Sequence, residues 1–229
     1  MRSALVTGGS SGIGLAIARM LGEEGFSLTL ASRTREKIEQ AAGELGAYAV
    51  TFDARNADGC EQLVAAHVDR HDGLDVLVNS AGIGIAGGLE SLQVSHIDLQ
   101  LQVNLRGLAL VTRAALPQLR RSRGLIVNLA SIAGTGAVPE LPIYAATKAA
   151  VISLTHSLNA ELEPNGVRVH ALCPGFVDTP MAEYSGLSSD EMIRPEDCAE
   201  VVRMLLRLSP RARVPQVVIE RMGAGRGRA

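Results

Sequence analysis

Short, nearly continuous apolar runs alternate along the chain with longer segments in which apolar residues recur every three or four positions. The short runs predict buried strands, and the longer segments predict amphipathic helices. The predicted strands are residues 3–7, 27–31, 47–52, 74–79, 124–131, 167–173 and 216–220. The predicted helices are residues 12–25, 34–45, 56–71, 91–121, 143–163 and 195–208. Because strands that are apolar on both faces are typical of parallel sheets, this alternation predicts a doubly wound α/β fold, with a seven-stranded, mostly parallel sheet and helices on both faces.

Two prolines bear on the ends of the predicted helices. Pro195 is expected in the first turn of the last helix, and Pro117 is expected to end or bend the helix predicted over residues 91–121. The sequence contains no internal repeat and no linker rich in proline, glycine or serine. We therefore expect one domain over residues 1–222, followed by a flexible tail over residues 223–229.

A glycine-rich segment, TGGSSGIG at positions 7–14, joins the first predicted strand to the first predicted helix. Glycines at such a turn let the backbone approach a pyrophosphate at the positive end of a helix, as in the dinucleotide-binding Rossmann fold. The spacing differs from GxGxxG, and no Lys-Ser or Lys-Thr pair follows, which disfavours a nucleoside-triphosphate loop. A tight turn without a ligand is the alternative. The expected dinucleotide contacts are Gly8, Ser10, Ser11, Gly12, Ile13 and Gly14.

The end of the second predicted strand, ASRTR at positions 31–35, bears on the choice between NAD and NADP. Ser32 stands where NAD-binding proteins usually place a carboxylate for the ribose 2′-hydroxyl. Arg33 and Arg35 follow, and an arginine can pair with a 2′-phosphate. The sequence therefore predicts NADP(H) in preference to NAD(H), with Ser32 and Arg33 at the ribose. Ordinary solvated arginines at a helix start are the alternative interpretation.

Composition narrows the class of protein and of partner. The chain has 229 residues, of which 47% are hydrophobic, and a formal net charge of −2. A globular protein is expected, with no overall electrostatic attraction to nucleic acid or to an anionic membrane. The sequence has no apolar run long enough for a transmembrane helix and no recognisable signal peptide, so we expect a cytoplasmic protein.

Neither a metal site nor a disulfide framework is expected. The three cysteines, Cys60, Cys173 and Cys198, are scattered without a CxxC pair and are expected to be buried thiols. Among the five histidines, His67 and His71 lie one helical turn apart, but no HExxH motif accompanies them. Solvated histidines are therefore expected.

A tyrosine and a lysine stand four residues apart in YAATK, at positions 144–148. On a helix, Tyr144 and Lys148 share one face. A free tyrosine has a pKa near 10, and a close ammonium favours the phenolate. We expect Lys148, with a bound oxidised nicotinamide, to lower the pKa of Tyr144 by about 2–3 units, which suits acid–base chemistry near neutral pH. A chance pair on a helix face is the alternative.

Several further motifs occur in a fixed order along nearly the whole chain. They are DARN (53–56), NSAG (79–82), NLRG (104–107), Ser131 and PGFVDTP (174–180). Together with the glycine-rich turn and YAATK, this set resembles the short-chain dehydrogenase/reductase family, in its compact single-domain branch. The resemblance implies an oxidoreductase that transfers a hydride between a nicotinamide and a carbonyl or secondary alcohol, such as a ketone or 3-oxoacyl reductase.

The resemblance implies four catalytic residues. Tyr144 is expected to exchange a proton with the substrate oxygen, and Lys148 to hold the nicotinamide ribose. Ser131 is expected to donate a hydrogen bond to the same oxygen, although a turn-capping serine is the alternative. Asn104 is expected to hold a water that links Lys148 to solvent, and a solvated polar residue is the alternative.

The resemblance also implies cofactor contacts outside the glycine-rich turn. Asp53 is expected to bond the adenine amino group, and Asn79 is expected mainly to fix the central strand. Ser80 replaces the asparagine that is more common in the family. The other residues implied at the cofactor are Ala54, Ala81, Gly82, Pro174, Gly175, Val177 and Thr179.

Substrate and assembly are less well defined by the sequence. The segment at about 180–194 is expected to cover a small-molecule carbonyl or alcohol substrate, and its shortness favours an open or small pocket.

Apolar stripes on the fourth and fifth predicted helices are expected at the interface of a homodimer or homotetramer, as in the family. These stripe residues are Leu99, Val103, Leu110, Val151, Leu154 and Leu158.

Two other function classes remain at this point. One is a non-catalytic dinucleotide-binding module that senses redox state, although such a module has no need of a tunable phenol. The other is a sugar-nucleotide epimerase of the extended branch of the family. The short carboxyl-terminal region and the glycine spacing disfavour this second class.

Overall fold

Seven strands form one parallel sheet in the computed structural model, which describes residues 1–223. They are β1 (Ser3–Thr7), β2 (Ser27–Ser32), β3 (Tyr48–Thr51), β4 (Val76–Asn79), β5 (Leu125–Leu129), β6 (Arg168–Pro174) and β7 (Gln216–Ile219). The order across the sheet is β3-β2-β1-β4-β5-β6-β7, and every neighbouring pair runs parallel. The order reverses direction between β1 and β4, as in a doubly wound sheet. The predicted fold class is confirmed, with a sheet that is parallel throughout.

The helices cover both faces of this sheet. They are α1 (Gly12–Glu23), α2 (Arg35–Leu45), α3 (Ala57–His71), α4 (Val94–Leu101), α5 (Leu108–Ser122), α6 (Pro142–Leu162) and α7 (Pro195–Arg207). Ala4 and Val6 pack into the core beneath α1, α2 and α7, while Leu5 packs into the core beneath α3, α5 and α6. This alternation follows from the two-residue period of a strand, and it explains why the strands are apolar on both faces.

The helix predicted over residues 91–121 is interrupted in the structure. A π-helical turn at Gln102–Gly107 separates α4 from α5. Of the two outcomes expected for Pro117, an end or a bend of the helix, the first is wrong, because α5 continues through Pro117 to Ser122. Pro117 is exposed, so the backbone carbonyl that loses its N–H partner can hydrogen-bond to water. Pro195 is the first residue of α7, as predicted.

The apolar stripe proposed for the interface belongs largely to the core of the single chain. Val103, Val151 and Leu158 are buried, and the other three stripe residues are half-buried against the same cores. The prediction that these side chains meet a second subunit is therefore wrong for the buried three. Exposed apolar side chains near this region are instead Val94 and Leu101, on α4.

The prediction of solvated histidines is wrong for His170 and His67, whose side chains are both buried. His67 lies beneath the sheet. Its Nδ1 lies 2.8 Å from Thr29 Oγ1, and Nε2 of His71 lies 3.1 Å from the same oxygen. Both rings are therefore engaged by a hydroxyl of the neighbouring strand. Residues 1–223 contain no cluster of histidine, cysteine and carboxylate side chains arranged to hold a metal. Cys60, Cys173 and Cys198 are buried free thiols, as predicted.

None of the helices between residues 1 and 223 combines the length and the apolar character needed to cross a bilayer. Of the tail predicted over residues 223–229, all but Gly223 lies outside the described residues.

Candidate active site

A cleft of about 740 Å³ lies at the carboxyl edge of the sheet. Open α/β sheets bind ligands at this edge, near the point where the strand order reverses. All but two of the residues predicted from the sequence line this cleft. The exceptions are Asn79 and Asn104, whose side chains are buried beside it.

The glycine-rich turn leaves space that side chains would fill. Gly8 has φ +67°, and a Cβ at this position would lie 2.8 Å from the Ala81 nitrogen. Gly12 has φ +53°, and a Cβ there would lie 2.9 Å from Thr179 Cγ2. Ser11 precedes α1, and the described residues provide no side-chain hydrogen bond to cap this helix end. The free amides of a helix start and a backbone cradle without side chains fit a pyrophosphate.

The basic end of the cleft contains Ser32, Arg33 and Lys37. Lys37 was not predicted from the sequence. Ser32 Oγ is buried and has no hydrogen-bond partner among the described residues. Lys37 lies in the first turn of α2, four residues after Arg33, and this spacing alone does not distinguish it from surface charge. Arg35, in contrast, lies outside the lining and pairs with Glu39 at 2.8 Å. The expectation that Arg35 reaches a 2′-phosphate is therefore not supported by its position.

Asp53 lies at the same end of the cleft, and its carboxylate accepts hydrogen bonds from the Arg55 guanidinium. These bonds lower the pKa of Asp53 below its usual range, and burial opposes them. The carboxylate is therefore held ionised and in place, where it can accept a hydrogen bond from an amino group.

Asn79 holds the central strands together. Its Nδ2 donates to Thr112 Oγ1 and to Asn128 Oδ1, both at 2.9 Å. These bonds join the end of β4 to α5 and β5. Next to it, the Ala81 amide donates to Thr7 Oγ1 at 3.2 Å, which fixes the backbone that faces Gly8. The Asn79 side chain thus shapes one wall of the cleft from behind.

Asn104 lies in the π-helical turn and is buried, so the alternative of a solvated polar residue is excluded. Its Oδ1 accepts from the Ile83 amide, and its Nδ2 donates to the Ile83 carbonyl, both at 2.8 Å. Nδ2 also donates to Thr147 Oγ1 on α6 at 3.1 Å. A Cβ on Gly82 would lie 3.4 Å from Asn104 Oδ1 and 3.5 Å from Lys148 Nζ. Asn104 therefore joins the loop after β4 to the helix that carries Tyr144 and Lys148.

Ser131 lies just beyond β5, where it begins a 3₁₀ turn at Ile132–Thr135. Its Oγ accepts a hydrogen bond from the Ala133 amide at 3.1 Å, so the serine caps this turn. Ser131 also lines the cleft with Tyr144, so the capping role and the proposed catalytic role are compatible. A Cβ on Gly134 would lie 2.6 Å from the Lys148 carbonyl carbon, which shows how closely the turn packs on α6.

Tyr144 and Lys148 share a face of α6, with Lys148 Nζ 5.6 Å from the centre of the tyrosine ring. Nζ donates to the Leu129 carbonyl at 2.6 Å. Burial lowers the pKa of Lys148 to about 8. Burial also raises the pKa of Tyr144 above its usual value, and the nearby Ser131 hydroxyl opposes this rise.

The lowered pKa predicted for Tyr144 is therefore not found in the protein alone. The physical reason is desolvation, which disfavours the phenolate and outweighs the opposing hydrogen bond with Ser131. The same desolvation weakens the ammonium form of Lys148. In the protein alone the tyrosine therefore retains its proton near neutral pH, and Lys148 gives up its proton more readily than an ordinary lysine.

The Tyr144 hydroxyl, beside Ser131 and Lys148, can transfer a proton next to a dinucleotide bound in this cleft. Comparisons with known proteins agree with this chemistry. A family model described as short chain dehydrogenase matches residues 2–189. An uncharacterized oxidoreductase of Staphylococcus aureus (strain MW2) is 36% identical over 220 residues, which cover 94% of this chain and 95% of the relative.

Solved structures give the same result. An alcohol dehydrogenase of the archaeon Thermococcus sibiricus, complexed with 5-hydroxy-NADP, matches with a TM-score of 0.89 and 32% identity, covering 96% of each chain. A variant of actinorhodin polyketide ketoreductase with NADPH matches with a TM-score of 0.87 and 34% identity, covering 96% of this chain and 95% of the other. Sequence and fold together show that this chain belongs to the short-chain dehydrogenase family of oxidoreductases.

Proposed function

We propose that this chain is an NADP(H)-dependent oxidoreductase that interconverts a ketone and a secondary alcohol. The observation that carries the proposal is that Ser131, Tyr144 and Lys148 line the same cleft as the glycine-rich turn and the basic pair Arg33 and Lys37. A proton donor and a dinucleotide site in one cleft are what carbonyl reduction requires.

In the direction of reduction, a bound NADPH would supply the hydride, with its two electrons, that the carbonyl carbon accepts. The Tyr144 hydroxyl donates a proton to the carbonyl oxygen, so that the C=O double bond is replaced by new C–H and O–H bonds. The Ser131 hydroxyl donates a hydrogen bond to the same oxygen as negative charge develops there. In the opposite direction, Tyr144 accepts the alcohol proton.

The raised pKa of Tyr144 supports this role in reduction. A phenol with a pKa above its usual value remains protonated near neutral pH, so the proton is available when the substrate binds. Lys148 lies beneath it with a pKa of about 8, which suits a group that exchanges protons near neutrality. Its ammonium is proposed to hold the nicotinamide ribose, and Asn104 to hold a water between Lys148 and solvent.

The preference for NADP(H) over NAD(H) is supported by the charges at the basic end of the cleft. Arg33 and Lys37 supply two cations there, and Ser32 supplies no carboxylate that would repel a 2′-phosphate. Two of the similar solved structures were obtained with 5-hydroxy-NADP and with NADPH, and another was obtained with NADH.

The proposed function is tested by incubating the purified protein and NADPH with ketones, quinones, diketones and 3-oxoacyl thioesters, while following the loss of NADPH absorbance. Turnover of at least one carbonyl, with the matching alcohol as product, is the expected result. Tight binding of NADPH without turnover of any carbonyl would contradict the proposal and favour a non-catalytic redox sensor.

We also propose that the chain forms a homodimer or homotetramer. The outer edge of β7 has no neighbouring strand among the described residues, and Val218 on this strand and Met204 on α7 are 44% and 45% exposed. An open strand edge beside exposed apolar side chains favours association. Light scattering after gel filtration should give at least twice the chain mass of 24.0 kDa, and a monomeric mass at micromolar concentration would contradict this assembly.

A further inference from the structure

Charge is distributed unevenly along the cleft. Arg33, Lys37 and Asp53 lie at the end assigned to the adenosine ribose. Lys148 lies beneath Tyr144, is 5% exposed, and donates to the Leu129 carbonyl. The remaining lining within the described chain contains no charged side chain. Beyond Tyr144, where a substrate would lie, the wall is therefore neutral.

The neutral end of the cleft is also apolar and partly aromatic. Phe176 and Tyr184 are 40% and 62% exposed there, and their ring centres lie 6.4 Å apart in an edge-on arrangement. Gly84 also lines the cleft, and an added Cβ there would be 3.5 Å from the Tyr144 ring. The other residues that form this end are Ile83, Ala137, Val138, Leu141 and Met181. An exposed aromatic pair beside an apolar cleft provides surface against which a flat ring can pack.

The ionisable residues adjacent in sequence to this wall are acidic. Glu140, Asp178 and Glu183 flank lining residues and are exposed. The next arginine along the chain, Arg194, pairs with Asp197 at 2.8 Å, and Arg221 is not among the residues that line the cleft. An anionic substrate would lose hydration without gaining a cation from the wall that residues 1–223 form beyond Tyr144, and it would approach carboxylates.

We infer, on the basis of the proposed function, that the substrate is an uncharged ketone or quinone with an aromatic ring that packs against Phe176 and Tyr184. Ketones that carry a carboxylate or phosphate, and thioesters of phosphorylated or acidic carriers, are disfavoured. Phe176 and Tyr184 thus determine specificity, while Ser131, Tyr144 and Lys148 perform the chemistry.

Three carbonyl compounds separate the effect of a ring from that of a charge. They are 1-phenyl-1,2-propanedione, which has a ring and no charge, benzoylformate, which has the ring and a carboxylate, and 2,3-butanedione, which has neither. The expected kcat/KM is highest for the neutral aryl diketone, by about tenfold or more over each of the others, because one good apolar contact or one unpaired charge is worth at least that factor. Benzoylformate reduced as well as the aryl diketone would overturn the inference.

Two variants test the aromatic pair directly. Phe176→Ala and Tyr184→Ala should each lower kcat/KM for the aryl diketone by about tenfold, and change that for 2,3-butanedione by less than about threefold. Tyr48→Ala removes another exposed tyrosine, on β3, and serves as the matched control. Equal effects of Phe176→Ala and Tyr184→Ala on both diketones, or no effect on either, would contradict the inference.

Calorimetry provides a measurement that is independent of turnover. The NADP⁺-bound protein should bind 1-phenyl-1,2-propanedione more tightly than benzoylformate, and Tyr184→Ala should remove most of the difference between the aryl diketone and 2,3-butanedione. Failure of these three compounds and of the whole carbonyl panel to turn over would contradict the proposed function, and the binding order would still test the present inference. Turnover with the reverse binding order would overturn this inference alone.

Discussion

The two lysines of the chain line the same cleft, and each follows a partner side chain by four residues. Lys148 follows Tyr144 on α6, and Lys37 follows Arg33 at the start of α2. The first pair could be predicted because tyrosine and lysine in that spacing have a chemical use. The second could not be distinguished from ordinary surface charge, since α2 is rich in charged residues and its orientation toward the cleft depends on the sheet.

The selectivity for NADPH should depend on Arg33 and, to a smaller degree, on Lys37. Replacing Arg33 by Gln should weaken NADPH binding by about tenfold and leave NADH binding unchanged, because only NADPH has the 2′-phosphate with which a guanidinium pairs. Lys37→Gln should also weaken NADPH binding, by a smaller factor, and leave NADH binding unchanged. Calorimetric Kd values for both dinucleotides provide the measurement.

Arg35→Gln is the matched control for this experiment, because Arg35 pairs with Glu39 outside the cleft lining. It should leave both Kd values unchanged. Wild-type protein that binds NADH as tightly as NADPH, or an Arg35→Gln variant that loses as much affinity as Arg33→Gln, would contradict the assignment.

At the scale of elements, the 3₁₀ turn after β5 and helix α6 are packed backbone against backbone. Gly134→Ala should lower kcat/KM by at least about tenfold, because a Cβ 2.6 Å from the Lys148 carbonyl carbon forces the turn or the helix to move. Ser131 or Lys148 would then be displaced from Tyr144. The measurements are steady-state kinetics and the melting temperature.

Gly136→Ala is the control for this substitution, since nothing lies within 4 Å of a Cβ at position 136. It should leave the melting temperature within about one degree of the wild type. If Gly134→Ala retained full activity, the close packing of the turn on α6 would not be needed to hold Ser131 and Lys148 in place.

The elements differed in how well the sequence predicted them. β1 was predicted at its observed bounds, because a buried strand is a short apolar run with sharp polar limits. The π-helical turn at Gln102–Gly107 was not predicted, since it depends on the contact of Asn104 with Ile83 in a distant loop. A single asparagine in an apolar helical pattern indicates that something is unusual, but it does not specify an inserted turn.

At the scale of the whole molecule, the fold and the dinucleotide end of the cleft could be predicted, and the substrate end could not. Strand–helix alternation and the glycine-rich turn are local patterns that define the sheet edge. The apolar wall is assembled from segments near residues 83, 138 and 180, which become neighbours only through the sheet order. Its lack of charge is therefore a property of the tertiary structure.

Stability in acid should depend on His67, which lies on α3 and contacts Ser3 of β1 and Thr29 of β2. Ser3 Oγ donates to the Gly73 carbonyl at 2.8 Å, so Nε2 of His67 must donate to Ser3 Oγ, and Nδ1 accepts from Thr29. A second proton, on Nδ1, would displace the hydrogen bond that Nδ1 accepts from Thr29. Burial, aided by the neighbouring His71, accordingly lowers the pKa of His67 to about 4.

Because the pKa of His67 is lower in the folded protein, the unfolded chain binds more protons between pH 6.5 and 4, and stability falls as the pH falls. This one group should cost about 2 kcal/mol of unfolding free energy between pH 7 and pH 5. Urea unfolding at both pH values should show a smaller loss for His67→Gln than for the wild type. His156→Gln, at an exposed site on α6, should behave like the wild type, and equal losses in all three proteins would contradict this role.

The central claim is that Tyr144 is the proton donor of an NADPH-dependent carbonyl reductase, and Tyr144→Phe tests it most directly. With 1-phenyl-1,2-propanedione, or whichever carbonyl the wild type reduces best, kcat/KM of the variant should fall by at least about a hundredfold, because the phenol proton is lost. Its calorimetric Kd for NADPH should change by less than about threefold, since the ring and Lys148 remain. A variant that keeps more than about a tenth of the wild-type kcat/KM would contradict the assignment of Tyr144 as the acid.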